Sequence, residues 1–91
     1  MAASQARLLM LTARKSDLEL MLQYINQSRM QLSNAWANAN PAQRAAIADA
    51  DKRLELEAKR VATQLQAVQT EIDAVQKILQ KNIETSFKII G

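Results

Sequence analysis

The residues of this chain that could carry out acid–base chemistry are three closely spaced pairs of carboxylates. They are Asp49 with Asp51, Glu55 with Glu57, and Glu71 with Asp73. On a helix, residues two apart do not face each other, so none of these pairs converges on one reacting atom. We therefore expect the acids to be solvated and to form ion pairs, not to catalyse a reaction.

The residue types that most often serve as nucleophiles, bases and metal ligands are missing as well. The chain contains no histidine and no cysteine, which removes the usual base, the thiol nucleophile, disulfides and the commonest metal ligands. Its single glycine is Gly91, so a glycine-rich phosphate loop is excluded as well. The sequence predicts a protein that is not an enzyme and has no catalytic residue, cofactor or metal site.

The charges favour neither nucleic acid nor membrane as a partner. Twelve basic and nine acidic residues give a net charge of +3, but the signs alternate along segments such as 51–55. Such mixing is typical of a solvated helix face with local ion pairs. No stretch approaches the ~20 apolar residues of a membrane span. The apolar core near the N-terminus, Leu8 to Leu11, is too short for a secretory signal, so we expect it to belong to the fold.

Composition and length predict helices that depend on association. Alanine, leucine, glutamine, lysine, arginine and glutamate dominate the 91 residues, with one proline and little material for strands. A small chain of this kind buries little surface alone and usually needs disulfides, a metal or oligomerisation for firm stability. With the first two excluded, oligomerisation remains.

Two heptad rows predict how the chain folds back. One row lies in the first half of the chain and one in the second, and opposing members have residue numbers that add to 79. The hairpin core predicted in this way is Leu11 with Val68, Leu18 with Val61, Ile25 with Leu54, and Leu32 with Ile47. Rows that mirror each other about one point are what knobs-into-holes packing of an antiparallel pair requires. The sequence therefore predicts an all-α, antiparallel two-helix hairpin.

The reversal is predicted around one proline. Asn40 can cap a helix whose first residue is Pro41, with Gln43 as the partner in a capping box, and proline keeps Asn40 itself out of the helix. We expect a first helix over about 4–37, a turn at 38–40 and a longer second helix over about 41–88. Trp36, just before the turn, could staple the hairpin by packing on Ala45, Ala46 or Ile47, or could anchor an interface.

Several apolar positions exceed what the hairpin can cover. The second helix keeps a heptad seam to Leu79 and meets a polar residue at Asn82. Beyond about residue 75 the predicted register leaves no partner from the same chain. The first helix also carries apolar residues off its seam, including Met10 and Met21. The predicted interface residues are Ile78, Leu79, Ile83, Phe87, Ile89, Ile90, Leu9, Leu20 and Met30.

Two families of secreted proteins share these features. The turn at 38–41 and the stretch 78–90 resemble type III secretion needle and inner-rod subunits. That resemblance implies a helical hairpin exported without a cleavable signal, whose C-terminal helix lines a hollow filament, and it implies subunit contacts by Ile83, Phe87, Ile89 and Ile90. The segment 36–38 is similar, to a lesser degree, to the tryptophan-x-glycine turn of other secreted helical hairpins.

We therefore expect a structural protein that binds itself as a homo-oligomer or filament, since contacts between two different patches generate open assemblies. The resemblance places such a subunit outside the cell or at its surface. The alternative is a small cytoplasmic coiled-coil chaperone or adaptor whose tail grips a helical protein partner.

Overall fold

The chain folds into two antiparallel helices lying side by side. The computed structural model describes the backbone of residues 2–90 and the side chains of residues 2–88. Helix α1 spans Ala2–Trp36 (35 residues) and helix α2 spans Pro41–Ile90 (50 residues), with no strand between residues 2 and 90. The molecule measures 73 × 16 × 14 Å, as expected for a straight 50-residue helix at about 1.5 Å per residue. The predicted all-α hairpin with a longer second helix is confirmed.

The turn contains the capping box that the sequence pattern predicts. The Gln43 backbone N–H donates to Asn40 Oδ1 at 2.8 Å, and the Asn40 N–H donates to Gln43 Oε1 at 2.9 Å. Two donors at the start of α2 are satisfied in this way. At the end of α1, the Ala39 N–H closes a tight turn on the Trp36 carbonyl at 3.2 Å. The reversal therefore occupies residues 37–40, one residue more than the predicted turn.

The helix bounds lie within two residues of the expected ones. Helix α1 begins at Ala2 instead of residue 4, because Ala2 and Ala3 are good helix formers that extend the first turn. It ends at Trp36 instead of 37, and α2 continues to Ile90 instead of 88.

The core is a single row of side chains between the helices. Leu18 and Val61 are fully buried, and Ile25, Val68 and Ile72 complete the central cluster. The flanking apolar residues Leu8, Leu11, Leu22, Leu54, Ala58 and Leu65 are partly buried against it. Leu32 and Ile47, the predicted pair nearest the turn, are half-buried. Alanine fills many positions around the turn, so this end of the seam is covered less completely.

Ion pairs between the helices report their alignment. Arg7 Nη2 lies 3.5 Å from Glu71 Oε2, and Arg29 Nε lies 2.8 Å from Asp51 Oδ1. The residue numbers add to 78 in the first pair and to 80 in the second. The two pairs stand near opposite ends of α1, so the helices keep one alignment along their shared length.

Candidate interaction surfaces

Near the turn, the seam between the helices becomes polar. Residues Leu8, Leu22 and Arg29 of α1 follow one heptad row, which ends at Trp36. Across the seam on α2, Asp51 lies opposite Arg29, and Arg44 lies opposite Trp36. Arg29 grips Asp51 with two hydrogen bonds, from Nε at 2.8 Å and from Nη2 at 3.3 Å. This two-pronged geometry is the stronger form of an arginine–carboxylate pair.

One heptad further on, Arg44 takes the place of an apolar partner for Trp36. Its guanidinium lies 5.2 Å from the centroid of the Trp36 ring, within cation–π range. Its Nε also donates to the Trp36 carbonyl at 3.2 Å. Trp36 and Ile47 line one groove, and the indole has 41% of its surface exposed. The role of Arg44 was not anticipated from the sequence.

The Arg29–Asp51 pair is also an electrostatic feature of this end. The hydrogen bond from Arg29 holds the pKa of Asp51 below its ordinary value, and the same bond raises the pKa of Arg29. Both side chains are partly exposed, so the pair acts in a largely solvated setting. Its geometry holds the two helices together and offers no open position for a reacting group.

This pair opposes a slip of the helices by one heptad. In one direction the slip would place Arg29 opposite Arg44, and in the other opposite Ala58. Either slip would separate Asp51 from its cation. A polar pair at a seam position is a well-attested way of specifying register. We therefore interpret Arg29 and Asp51 as residues that align the hairpin.

The C-terminal part of α2 extends beyond α1. Continuing the hairpin alignment brings Ala2 opposite Lys77, so from residue 78 onward α2 has no α1 beside it for about 20 Å. Val75, just before this point, is 5% exposed, whereas Ile83 is 59% and Phe87 76% exposed. We call Ile78, Leu79, Ile83 and Phe87 the tail surface. The side chains of Ile89 and Ile90, also predicted for this interface, lie outside the described residues.

Leu79 and Asn82 mark the transition to this tail. Both are half-buried, whereas Ile78 is exposed. From Leu79 to Phe87 the apolar residues recur at steps of four, so they follow the straight helix instead of the heptad seam. Leu79 thus continues the side of α2 that α1 covers elsewhere, and Ile83 and Phe87 turn progressively away from it.

A second apolar surface lies on α1, turned away from the main seam. Its apolar members are Ala3, Ala6, Met10, Ala13, Leu20 and Tyr24, which recur at helical spacing with Asp17 in the same row between Ala13 and Leu20, and we call this row the outer α1 face. Met10 is 73%, Leu20 64% and Tyr24 71% exposed. Sequence analysis singled out Leu20 and noted Met10, but it missed Tyr24. The four-residue step from Leu20 to Tyr24 could have found it.

The other predicted interface residues stand apart from these two surfaces. Leu9 is exposed on one flank of the outer α1 face. Met30 is exposed near the turn, where it lines a groove with Arg29 and Trp36. Leu56 of α2 is also exposed, and sequence analysis did not select it. It stands alone, as single surface leucines often do.

Five of the six acidic residues weighed as catalysts form ion pairs, and the sixth, Asp73, accepts a hydrogen bond from Gln69 Nε2 at 2.9 Å. Within α2, Asp49 pairs with Arg53, Glu55 with Lys59 and Glu57 with Arg60, and Glu71 pairs with Arg7 of α1. Among the described residues, no group of acidic side chains is placed to hold a metal ion. Between residues 2 and 90, neither helix has an apolar segment of the length that spans a bilayer.

No protein-family model, curated protein or solved structure matches this chain.

Proposed function

We propose that this protein is a structural subunit that assembles with copies of itself into an extended, filament-like or needle-like polymer. The observation that carries the proposal is the extension of α2 beyond α1, which leaves Ile83 59% and Phe87 76% exposed. Leaving such side chains in water is unfavourable, and burial against another chain removes that cost.

The separation of the two apolar surfaces supports an open assembly. The tail surface lies beyond one end of the hairpin, and the outer α1 face lies along its side. A subunit with two separate contact surfaces can touch two neighbours at once, which is the requirement for a chain of subunits. Export without a signal peptide is part of the same proposal and rests only on the resemblance to needle and inner-rod subunits.

Replacing Phe87 with alanine tests the tail contact. We expect Phe87→Ala to shift assembly to higher protein concentration by orders of magnitude, because burying a phenylalanine at an interface is worth about 3–5 kcal/mol by analogy with cores. Removal of residues 86–91 should have a stronger effect. Sedimentation velocity measures the size distribution, and circular dichroism checks that both variants keep their helices, since Phe87 does not contribute to the hairpin core.

Leu56→Ala is the matched control, because Leu56 is an exposed apolar residue of α2 outside both surfaces. It should assemble like the parent chain. If Phe87→Ala and the truncated chain also assemble like the parent, the tail is not an assembly contact. A small oligomer of fixed size for the parent chain would favour the adaptor alternative.

A further inference from the structure

We propose that the outer α1 face binds the same face of a second copy, with the two α1 helices antiparallel about a two-fold axis near residue 15. The inference rests on the proposed function only in requiring that the protein associates with itself. It concerns a contact separate from the tail surface, and it gives that contact a direction and a register.

Side-chain size changes along the outer α1 face. Its N-terminal part carries Ala3 and Ala6, whereas its other end carries Leu20 and Tyr24. An antiparallel second copy brings Tyr24 opposite Ala6 and Leu20 opposite Met10, and the residue numbers add to 30 in both pairs. Tyr24 then meets an alanine at each end of the contact, Leu20 packs on the flexible Met10, and Ala13 lies opposite Asp17 near the centre. A parallel copy would place tyrosine against tyrosine at one end and leave a gap between alanines at the other.

The surface that would receive these large side chains has the shape of a groove. Ala3, Ala6, Met10 and Ala13 line an open, largely apolar groove beside α1. Their short side chains let another helix approach closely, and Leu20 and Tyr24 project far enough to fill such a groove. Because the same α1 carries both the groove and the projecting residues, the face is complementary to itself when reversed.

Two charged residues near the groove also fit the antiparallel arrangement. Arg14 and Asp17 border the same groove, and within the described residues neither forms an ion pair. The residue numbers of Arg14 and Asp17 add to 31, one more than the sum of 30 that the apolar pairs share. Within the hairpin, the Arg7–Glu71 pair is likewise one away from the core pairs at 79. The antiparallel dimer thus forms two reciprocal Arg14–Asp17 pairs, whereas a parallel dimer would bring Asp17 beside Asp17.

This arrangement has a consequence for assembly. An antiparallel pair places the two tail surfaces at opposite ends of the dimer, each level with the turn end of the other copy. Alternation of the α1 contact with the tail contact then produces an open chain of subunits.

Disulfide cross-linking tests the register in the full-length chain, which has no native cysteine. Met10→Cys and Leu20→Cys variants, mixed and oxidised, should form a disulfide-linked dimer several-fold more efficiently than either variant alone. Position 10 lies opposite position 20 in the proposed dimer, but two copies of position 10 are separated by about 15 Å along the axis. A disulfide needs Cα atoms within about 7 Å. Met10→Cys mixed with Leu56→Cys is the matched control.

Charge exchange tests the ion pairs, with sedimentation velocity of full-length Phe87→Ala chains as the readout so that tail contacts do not obscure the dimer. Arg14→Asp alone and Asp17→Arg alone should each dimerise about tenfold more weakly, since two exposed ion pairs become repulsive. An equal mixture of the two variants should recover dimerisation, because each acid then meets an arginine. Lys52→Asp changes the net charge by as much as Arg14→Asp but lies outside the face, so it should have no effect.

The inference is overturned if Met10→Cys alone cross-links as strongly as the mixture with Leu20→Cys, or if that mixture does no better than the control. Failure of the mixed charge variants to recover the dimer would also overturn it. A parent chain that stops at the cross-linked dimer would instead refute the proposed polymer and leave the α1 contact intact. Assembly through the tail without a disulfide between positions 10 and 20 would refute the α1 contact and leave the proposed polymer intact.

Discussion

At the scale of single residues, a polar feature that distinguishes the observed alignment of the helices from its neighbours is the pair formed by Arg29 and Asp51. Both occupy seam positions where heptad packing would otherwise place apolar side chains. They satisfy each other through two hydrogen bonds and hold the helices in one alignment. A polar layer of this kind gives up some apolar burial for a unique register.

The lowered pKa of Asp51 makes this alignment sensitive to acid. The contribution of its carboxylate to stability is fully present above the ordinary value of 3.8 and is lost as the pH falls through the lowered value of the folded state. At pH 7, Asp51→Asn should therefore melt at a lower temperature than the parent chain. The difference should shrink as the pH is taken from 5 to 2, with melting followed by circular dichroism.

Asp49→Asn provides the comparison, because Asp49 pairs only with Arg53 one turn away on the same helix. Its effect at pH 7 should be smaller than that of Asp51→Asn, since pairs within one exposed helix contribute little. An Asp51→Asn effect of equal size at pH 2 and pH 7 would show that the carboxylate does not stabilise the alignment.

At the scale of the helices, the fold depends on one row of buried side chains. We expect Leu18→Asp or Val61→Asp to unfold the hairpin, because each places an unpaired carboxylate in a fully buried position at a cost of several kcal/mol. A domain this thin has only a few kcal/mol of stability to lose. Loss of helical circular dichroism at 25 °C is the measurement.

Leu56→Asp is the matched substitution at an exposed position of α2, and it should keep its helicity. Retention of helicity and of the parent melting curve by both Leu18→Asp and Val61→Asp would contradict the pairing of these two rows.

The helices and their turn could be predicted because their signals are local or strictly periodic. Leu18 and Val61 stand in unbroken heptad rows, and Asn40, Pro41 and Gln43 carry the capping chemistry within four residues. Periodicity alone could not predict how well each layer is covered. Val75 is buried more completely than Leu32, because the surroundings of Leu32 near the turn are rich in alanine.

The polar contacts near the turn were harder to foresee for a physical reason. Charged residues usually occupy solvated faces, so the segment with Asp51 was expected to be solvated, and nothing in the sequence pattern marked Arg29 or Arg44 as seam residues. Their position in the seam appears only when the rows of both helices are aligned, because each charge needs its partner on the other helix to be tolerated there.

At the scale of the whole molecule, the hairpin is a rod about 73 Å long with one row of core residues and two exposed apolar surfaces. A rod of this shape has a large surface for its volume, and we propose that contacts with neighbouring copies add to its stability. The tail surface and the outer α1 face are where this account places those contacts.

The most direct test of self-assembly is the size distribution of the purified full-length chain over a range of concentrations. Sedimentation velocity, with electron microscopy of the most concentrated sample, measures it without any substitution. We expect the size of the sedimenting species to grow continuously with concentration and the images to show extended polymers. A single boundary at the 10.2 kDa monomer across the whole range, with no polymers in the images, would contradict it.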